Sequence, residues 1–211
     1  MTAASEPRML VMHGLRLKGF AHPASVSEAV AVPEDETAHI LGQLVGDGLV
    51  LFRDGRLSGF TLTPEGRSEH ARLLSAELDH HGVREAVTSG YSKFLGLNVG
   101  LLEVCTAWQL REVNGESTLN DHTDPAYDAQ VIERLGELDG TVRPICDELG
   151  ASLARYGRYS ERLVHAVERV RGGDIDWFTK PVIASYHTVW FELHEDLLAT
   201  LGIERASERV S

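Results

Sequence analysis

Residues 44–67 read LVGDGLVLFRDGRLSGFTLTPEGR, and this stretch decides the fold of the N-terminal third. An apolar helix end runs into Gly48-Leu49-Val50. Glycine stops a helix well, because it enters the left-handed backbone region without a steric penalty. Two short strands follow, over residues 49–53 and 57–63, around the turn Asp54-Gly55-Arg56. Thr63-Pro64-Glu65-Gly66 then opens a helix, with a threonine to cap the free amides and a proline in the first turn.

Working back toward the N-terminus, residues 9–20 form a first helix, with Leu10, His13, Leu17 and Phe20 at helical spacing. His22-Pro23 ends it. Ser25-Val26-Ser27-Glu28 has the pattern of a capping box, and a short second helix covers residues 26–31. Pro33-Glu34-Asp35-Glu36 opens a third, running to about residue 47. At 100° per residue, Thr37, Ala38, Leu41, Leu44 and Val45 share an inner face. Glu36, His39, Gln43, Gly42 and Gly46 lie opposite. Three helices, a hairpin and a helix are wired as a winged helix-turn-helix, whose third helix and hairpin wing are tools for gripping duplex DNA.

Beyond residue 80 the periodicity is helical throughout, which predicts an all-α helical bundle. Helices are expected over 83–94, 97–113, 160–171 and 181–201, with a polar loop at 114–123. Asp124-Pro125 opens a long seam through Ile132, Leu135, Leu138, Val142, Ile145, Leu149, Leu153 and Tyr156. Gly140 and Pro144 predict a kink or break inside it. Residues 203–211 are expected to be loose. The fold class is therefore mainly α. A winged-helix domain covers residues 1–80, and a helical dimerisation or ligand-sensing domain covers 81–211.

The chain of 211 residues is 43% hydrophobic and 25% charged, an ordinary globular composition. No apolar run approaches the roughly 18 residues of a membrane span, and the N-terminus lacks signal-peptide character. No membrane association is expected. Cys105 and Cys146 fit no metal spacing and point to a cytoplasmic protein with buried thiols; a disulfide between them is the less favoured alternative. The net charge is −12. Residues 1–75 hold seven basic and nine acidic side chains, so the acidity sits mainly in the C-terminal two thirds. If the N-terminal part meets DNA, the rest must face away from it.

The pieces LVGDGLV, RDGR and TLTPEGR make residues 9–78 resemble the winged-helix domain of MarR-type transcription regulators. The resemblance implies a homodimer whose third helix enters the major groove. The remaining 130 or so residues exceed the usual length of that family. They look more like the appended helical domain of GntR-type regulators. A second resemblance covers 18 residues, SYHTVWFELHEDLLATLG at 185–202, and is to segments attached to pyruvate phosphate dikinase-type enzymes. It implies a partner or a pathway rather than a fold.

For double-stranded DNA, His39 and Gln43 would read bases, Arg53 and Arg56 on the wing would reach phosphates, and Lys18 would add a backbone contact. Glu34, Asp35 and Glu36 oppose this, since phosphates repel them, and the third helix carries no lysine or arginine. The favoured function is a DNA-binding transcription regulator. The alternative is a winged-helix adaptor that docks on a partner protein, an enzyme of phosphoenolpyruvate or pyruvate metabolism, without DNA.

Trp108, Tyr186, His187, Trp190 and His194 concentrate aromatic and imidazole rings in the helical part. They suggest a pocket for a small-molecule effector, against the plainer reading of core packing. His187 and His194 lie seven apart on one helix face, but no metal motif accompanies them, and no metal or other cofactor is expected. Nothing in the chain has the pattern of a phosphate loop, a nucleophile elbow or a Ser/His/Asp order. No catalytic residue is assigned, and the chain is not expected to be an enzyme.

Overall fold

The computed structural model describes residues 2–113 and 115–205. Among them the chain is mainly helical: α1 (Pro7–Lys18), α2 (Pro23–Val30), α3 (Glu34–Gly46), β1 (Val50–Arg53), β2 (Gly59–Leu62), α4 (Pro64–His81), α5 (Arg84–Gln109), β3 (Leu110–Val113), β4 (Glu116–Leu119), α6 (Pro125–Ser152), α7 (Ala154–Arg171), α8 (Asp176–Thr179) and α9 (Tyr186–Leu201). The chain divides into two compact units. One, called here the N-terminal unit, comprises Ala3–Glu85 together with the described residues from His194 to Arg205. The other, the helical unit, is built chiefly from Ala86–Leu193. The sequence placed a boundary at residue 80 and kept everything after it together. In the structure the second half of α9 groups with the N-terminal unit.

In the N-terminal unit, α1, α2 and α3 pack around a core of Val11, Met12, Leu15, Val26, Val30, Ile40, Leu41 and Leu44. Two sequence expectations need correction here. The N-cap of α2 is His22, with Pro23 in the first turn and no side-chain cap, so Ser25 and Glu28 lie inside the helix rather than forming a capping box. The inner face of α3 is Thr37, Ile40, Leu41 and Leu44, while Ala38 and Val45 are exposed. The helix is rotated relative to the expected face because β-branched Ile40 fills the core better than alanine would.

The end of α3 is a Schellman turn. Leu49 N–H donates to Leu44 O at 2.9 Å and Gly48 N–H to Val45 O at 3.1 Å, with Gly48 at φ 73°. Strand β1 pairs antiparallel with β2 in the register Val50↔Leu62 and Phe52↔Phe60. The five-residue loop between them includes Leu57, which the sequence placed in a strand. Ala21 adds a single further rung, exchanging two backbone hydrogen bonds with Phe60 at 2.8 and 3.1 Å. Thr63 caps α4 as expected, its Oγ1 accepting from Gly66 N–H at 3.0 Å. Gly66 is needed there, because a Cβ would sit 1.9 Å from the Leu49 carbonyl oxygen.

In the helical unit, α5 is one continuous helix where two were expected. α6 runs unbroken for 28 residues through Gly140 and Pro144, capped by Asp124, whose carboxylate accepts from the amides of Ala126 and Tyr127. The expected break is absent. The carbonyl crowded by the Pro144 ring belongs to residue 140, a glycine exposed to solvent and free to tilt. The chain turns at extended Leu153 into α7.

The expectation of an all-α second domain is overturned by β3 and β4, an antiparallel hairpin in the register Leu110↔Leu119 and Val113↔Glu116. The polar loop expected at 114–123 contains this hairpin's second strand, Glu116–Leu119, although Asn114 itself lies outside the described residues. Asn114-Gly115 between LREV and ESTL is the signal that would have found it, since Asn-Gly is the strongest two-residue hairpin turn. The expectation for residues 206–211 also falls outside the described residues. Among the described residues, no helix is long and apolar enough to cross a membrane.

Candidate functional site

The N-terminal unit presents two exposed elements in succession. Helix α3 buries one face and exposes Glu36, His39 and Gln43 on the other, with Glu34, Asp35 and Glu36 in its first turn. His39 and Gln43, one helical turn apart, are hydrogen-bonded to each other, Nε2 to Nε2, at 3.0 Å. Their polar atoms thus share one stretch of surface, and any ligand they read must replace or extend that bond.

The hairpin that follows exposes Arg53 and Arg56. The arginines elsewhere in this unit are largely taken up. Arg8 pairs with Asp47 at 2.7 Å, Arg16 with Glu195 at 3.3 Å, and Arg72 with Glu69 at 2.7 Å. Glu69 is held below the usual carboxylate range by its hydrogen bond to Arg72. No such partner engages Arg53 or Arg56 among the described residues. Arg67, in the first turn of α4, is likewise exposed and without an ion-pair partner there; sequence reasoning did not single it out. Lys18 is exposed at the end of α1.

The hairpin is not purely polar. Leu51 is 46% exposed, Phe52 45% and Leu57 80%, and Phe20 nearby is 40% exposed. Phe52 packs on Phe60 with ring centroids 4.9 Å apart. The surface offered by this element is therefore cationic and apolar together.

The five candidate pocket residues do not fall in one unit. Trp108, Tyr186, His187 and Trp190 belong to the helical unit, and His194 to the N-terminal unit. Trp108 is buried and stacks on Phe178, with centroids 4.3 Å apart and planes 10° from parallel. Its other neighbour is His122 at 4.4 Å. Trp190 packs on Phe94 at 4.7 Å and donates from Nε1 to Asn98 Oδ1 at 3.1 Å. Tyr186 is fully buried, and its phenol is pushed well above its ordinary range by burial and by the Asp139 carboxylate. Burial also raises Asp139, although Arg143 lies 3.1 Å away. His187 is half-buried and shifted downward by desolvation, so its neutral form is favoured. Trp108 and Trp190 act as core groups with specific partners.

Cys105 and Cys146 are both free and buried. Burial pushes their thiols up to about 11 and about 12, so neither is a ready nucleophile. Among the described residues, no three His, Cys, Asp or Glu side chains converge as a metal ion would require.

Comparison of the chain with protein-family models, with curated proteins and with solved structures gives no match. Its functional reading therefore rests on its own residues.

Proposed function

We propose that the chain is a DNA-binding transcription regulator. In this reading the N-terminal unit is a winged helix, with α3 as the reading helix and β1–β2 as the wing. The observation that carries it is the pair Arg53 and Arg56. Both are exposed on a hairpin that directly follows the helix bearing His39 and Gln43, in a unit where Arg8, Arg16 and Arg72 are internally paired. Guanidinium groups left without carboxylate partners suit phosphate, which they bind bidentately. The single rung between Ala21 and Phe60 supports the assignment, since it ties the segment between α1 and α2 to the wing. The helical unit would join two copies into a homodimer and take a small-molecule effector. Two reading helices would then meet half-sites about one DNA turn apart.

The test is fluorescence anisotropy on the intact protein with duplex fragments from upstream of its own gene. Binding should weaken steeply with salt, and Arg53→Glu with Arg56→Glu should abolish it. Absence of binding to any such fragment at low salt would sink the reading.

A second reading is supported by the apolar side of the same hairpin. Leu51, Phe52 and Leu57 are more exposed than a phosphate-gripping wing requires, and the first turn of α3 is acidic. Both features suit a protein partner. In this form the chain is an adaptor, and the short C-terminal resemblance directs the search to an enzyme of phosphoenolpyruvate or pyruvate metabolism. Leu57→Asp together with Phe52→Ser separates the two readings. These changes would break protein docking and leave the salt-dependent DNA contact in place.

A further inference from the structure

The β1–β2 hairpin and the opening of α3 carry opposite charge, and neither finds its complement within the chain. On the hairpin, Arg53 and Arg56 stand among exposed Phe52 and Leu57. The loop's own carboxylate, Asp54, is engaged by the turn itself, accepting from Gly55 N–H at 2.9 Å. The first turn of α3 holds Glu34, Asp35 and Glu36, all exposed, between exposed Pro33 and exposed Ala38. Among the described residues, neither the two arginines nor the three acids have a hydrogen-bond or ion-pair partner through their side chains. Elsewhere in the same unit exposed charges do meet. Arg8 pairs with Asp47 and Arg72 with Glu69, each at 2.7 Å.

An exposed ion pair adds little stability, because water screens it, so charge alone does not hold two surfaces together. Apolar area removed from water supplies the attraction, and Leu57 and Phe52 offer it. Complementary charge then selects which surface those residues cover. The arginines call for carboxylates set beside small apolar groups, with no lysine or arginine among them. The opening of α3 has this composition. A second copy of the chain brings both surfaces at once, so a twofold arrangement makes the same contact twice.

We propose that two copies of the chain associate through these surfaces, the hairpin of each seated on the first turn of α3 of the other. Arg53 and Arg56 meet Glu34, Asp35 and Glu36 across the contact, and Leu57 and Phe52 lose water against Pro33 and Ala38. The contact stands whether the free hairpin grips DNA or a protein. While it lasts, it withholds Arg53 and Arg56 from either.

Sedimentation velocity of the full chain, from about 10 µM to about 0.5 mM, tests this with two charge-reversed variants. One carries Arg53→Glu and Arg56→Glu, the other Glu34→Lys, Asp35→Lys and Glu36→Lys; circular dichroism checks that both keep their helix. The unmodified protein should show an association step that weakens as salt rises. A dimer formed by the helical unit would not respond to these substitutions and sets the baseline. Each variant alone should lose the step, by about tenfold or more in affinity, because hairpin and helix then carry the same sign. An equal mixture of the two should regain it, since each hairpin again faces a helix of opposite charge. Leu57→Ser should weaken the step and leave its salt dependence in place. A helical variant that associates alone as the unmodified chain does overturns the proposal, as does a mixture that stays apart. Absence of the step in the unmodified chain overturns it too, and leaves the hairpin to a foreign partner.

Discussion

His13 and Asp196 meet in the interior of the N-terminal unit, Nε2 3.0 Å from Oδ1, with each side chain 2% exposed. The other nitrogen of His13, Nδ1, is 3.1 Å from His70 Nε2, and Thr200 Oγ1 donates to Asp196 Oδ1 at 3.1 Å. Helices α1, α4 and α9 are thereby joined by one file of polar groups inside an apolar core. A carboxylate so deeply buried needs a complementary group beside it, and His13 lies at ion-pair distance.

Breaking this file should be costly, because each deletion leaves a buried polar group without its partner. His13→Ala and Asp196→Ala should each lower stability by about 3 kcal/mol. The double variant should lose clearly less than the sum of the two, since both remove the same contact. Urea unfolding of the four proteins measures this; strictly additive losses would show that the two residues act separately.

Gly66 and Gly42 should respond in opposite directions to the same change. At Gly66 an added Cβ meets the Leu49 carbonyl oxygen at 1.9 Å, so Gly66→Ala must push β1 away from α4 and cost about 2 kcal/mol or more. Gly42 is on the exposed face of α3 with nothing within 4 Å of such a Cβ. Gly42→Ala should therefore stabilise by about 0.5–1 kcal/mol through helix propensity. Thermal melts of both variants check the contrast.

The buried thiols give stability an alkaline limit. Their folded values, about 11 and about 12, lie above the ordinary 9.0, so the folded chain holds protons that the unfolded chain releases. Their contribution is fully present below about pH 9 and is lost as pH rises through the folded values. Cys105→Ala with Cys146→Ala should flatten the fall in stability between pH 9 and 11, measured by denaturant titration. In the native protein both thiols should react with a thiol reagent at pH 8 far more slowly than in urea.

Asp128 should govern the β3–β4 hairpin. Its two oxygens take Asn120 Nδ2 at 2.8 Å and His122 Nδ1 at 3.0 Å, and His122 is held in the left-handed region at φ 57°. A two-stranded hairpin is marginal by itself in water. Asp128→Ala should speed amide exchange across residues 110–119 and leave β1–β2 unchanged. Equal exchange in both hairpins would refute the assignment.

If the chain grips DNA as proposed, helix and wing should fail differently. Arg56→Ala should lower affinity for all sequences and reduce the salt slope by about 1. Gln43→Ala should leave the slope alone and relax the preference for one base, by about 1–3 kcal/mol for a good bidentate contact. Anisotropy titrations across salt, with one substituted duplex series, resolve the two.

The elements that could be read from the sequence carry their own local cause. Gly48 ends α3, and Thr63-Pro64 opens α4, because turns and caps depend on neighbours a few residues away. The exposed faces of His39, Gln43, Arg53 and Arg56 were legible for the same reason. The β3–β4 hairpin was legible too, in Asn114-Gly115, but the strong helical pattern on both sides hid it. The inner face of α3 was misplaced although it was legible, since Ile40 lies four residues before Leu44 and on the opposite side of the helix from Ala38.

The sequence by itself determined a mainly helical chain with a hairpin after the third helix, because periodicity, caps and turn chemistry act over one or two turns of backbone. The tertiary structure alone decided which distant groups became partners. It paired Arg16 with Glu195 and left Arg53 and Arg56 without an ion-pair partner among the described residues. It assigned the end of α9 to the N-terminal unit through His13 and Asp196. Those pairings join opposite ends of the chain, and no local rule carries them; burial selected them, since a charge or imidazole inside a core is tolerated only where a complementary group arrives to meet it.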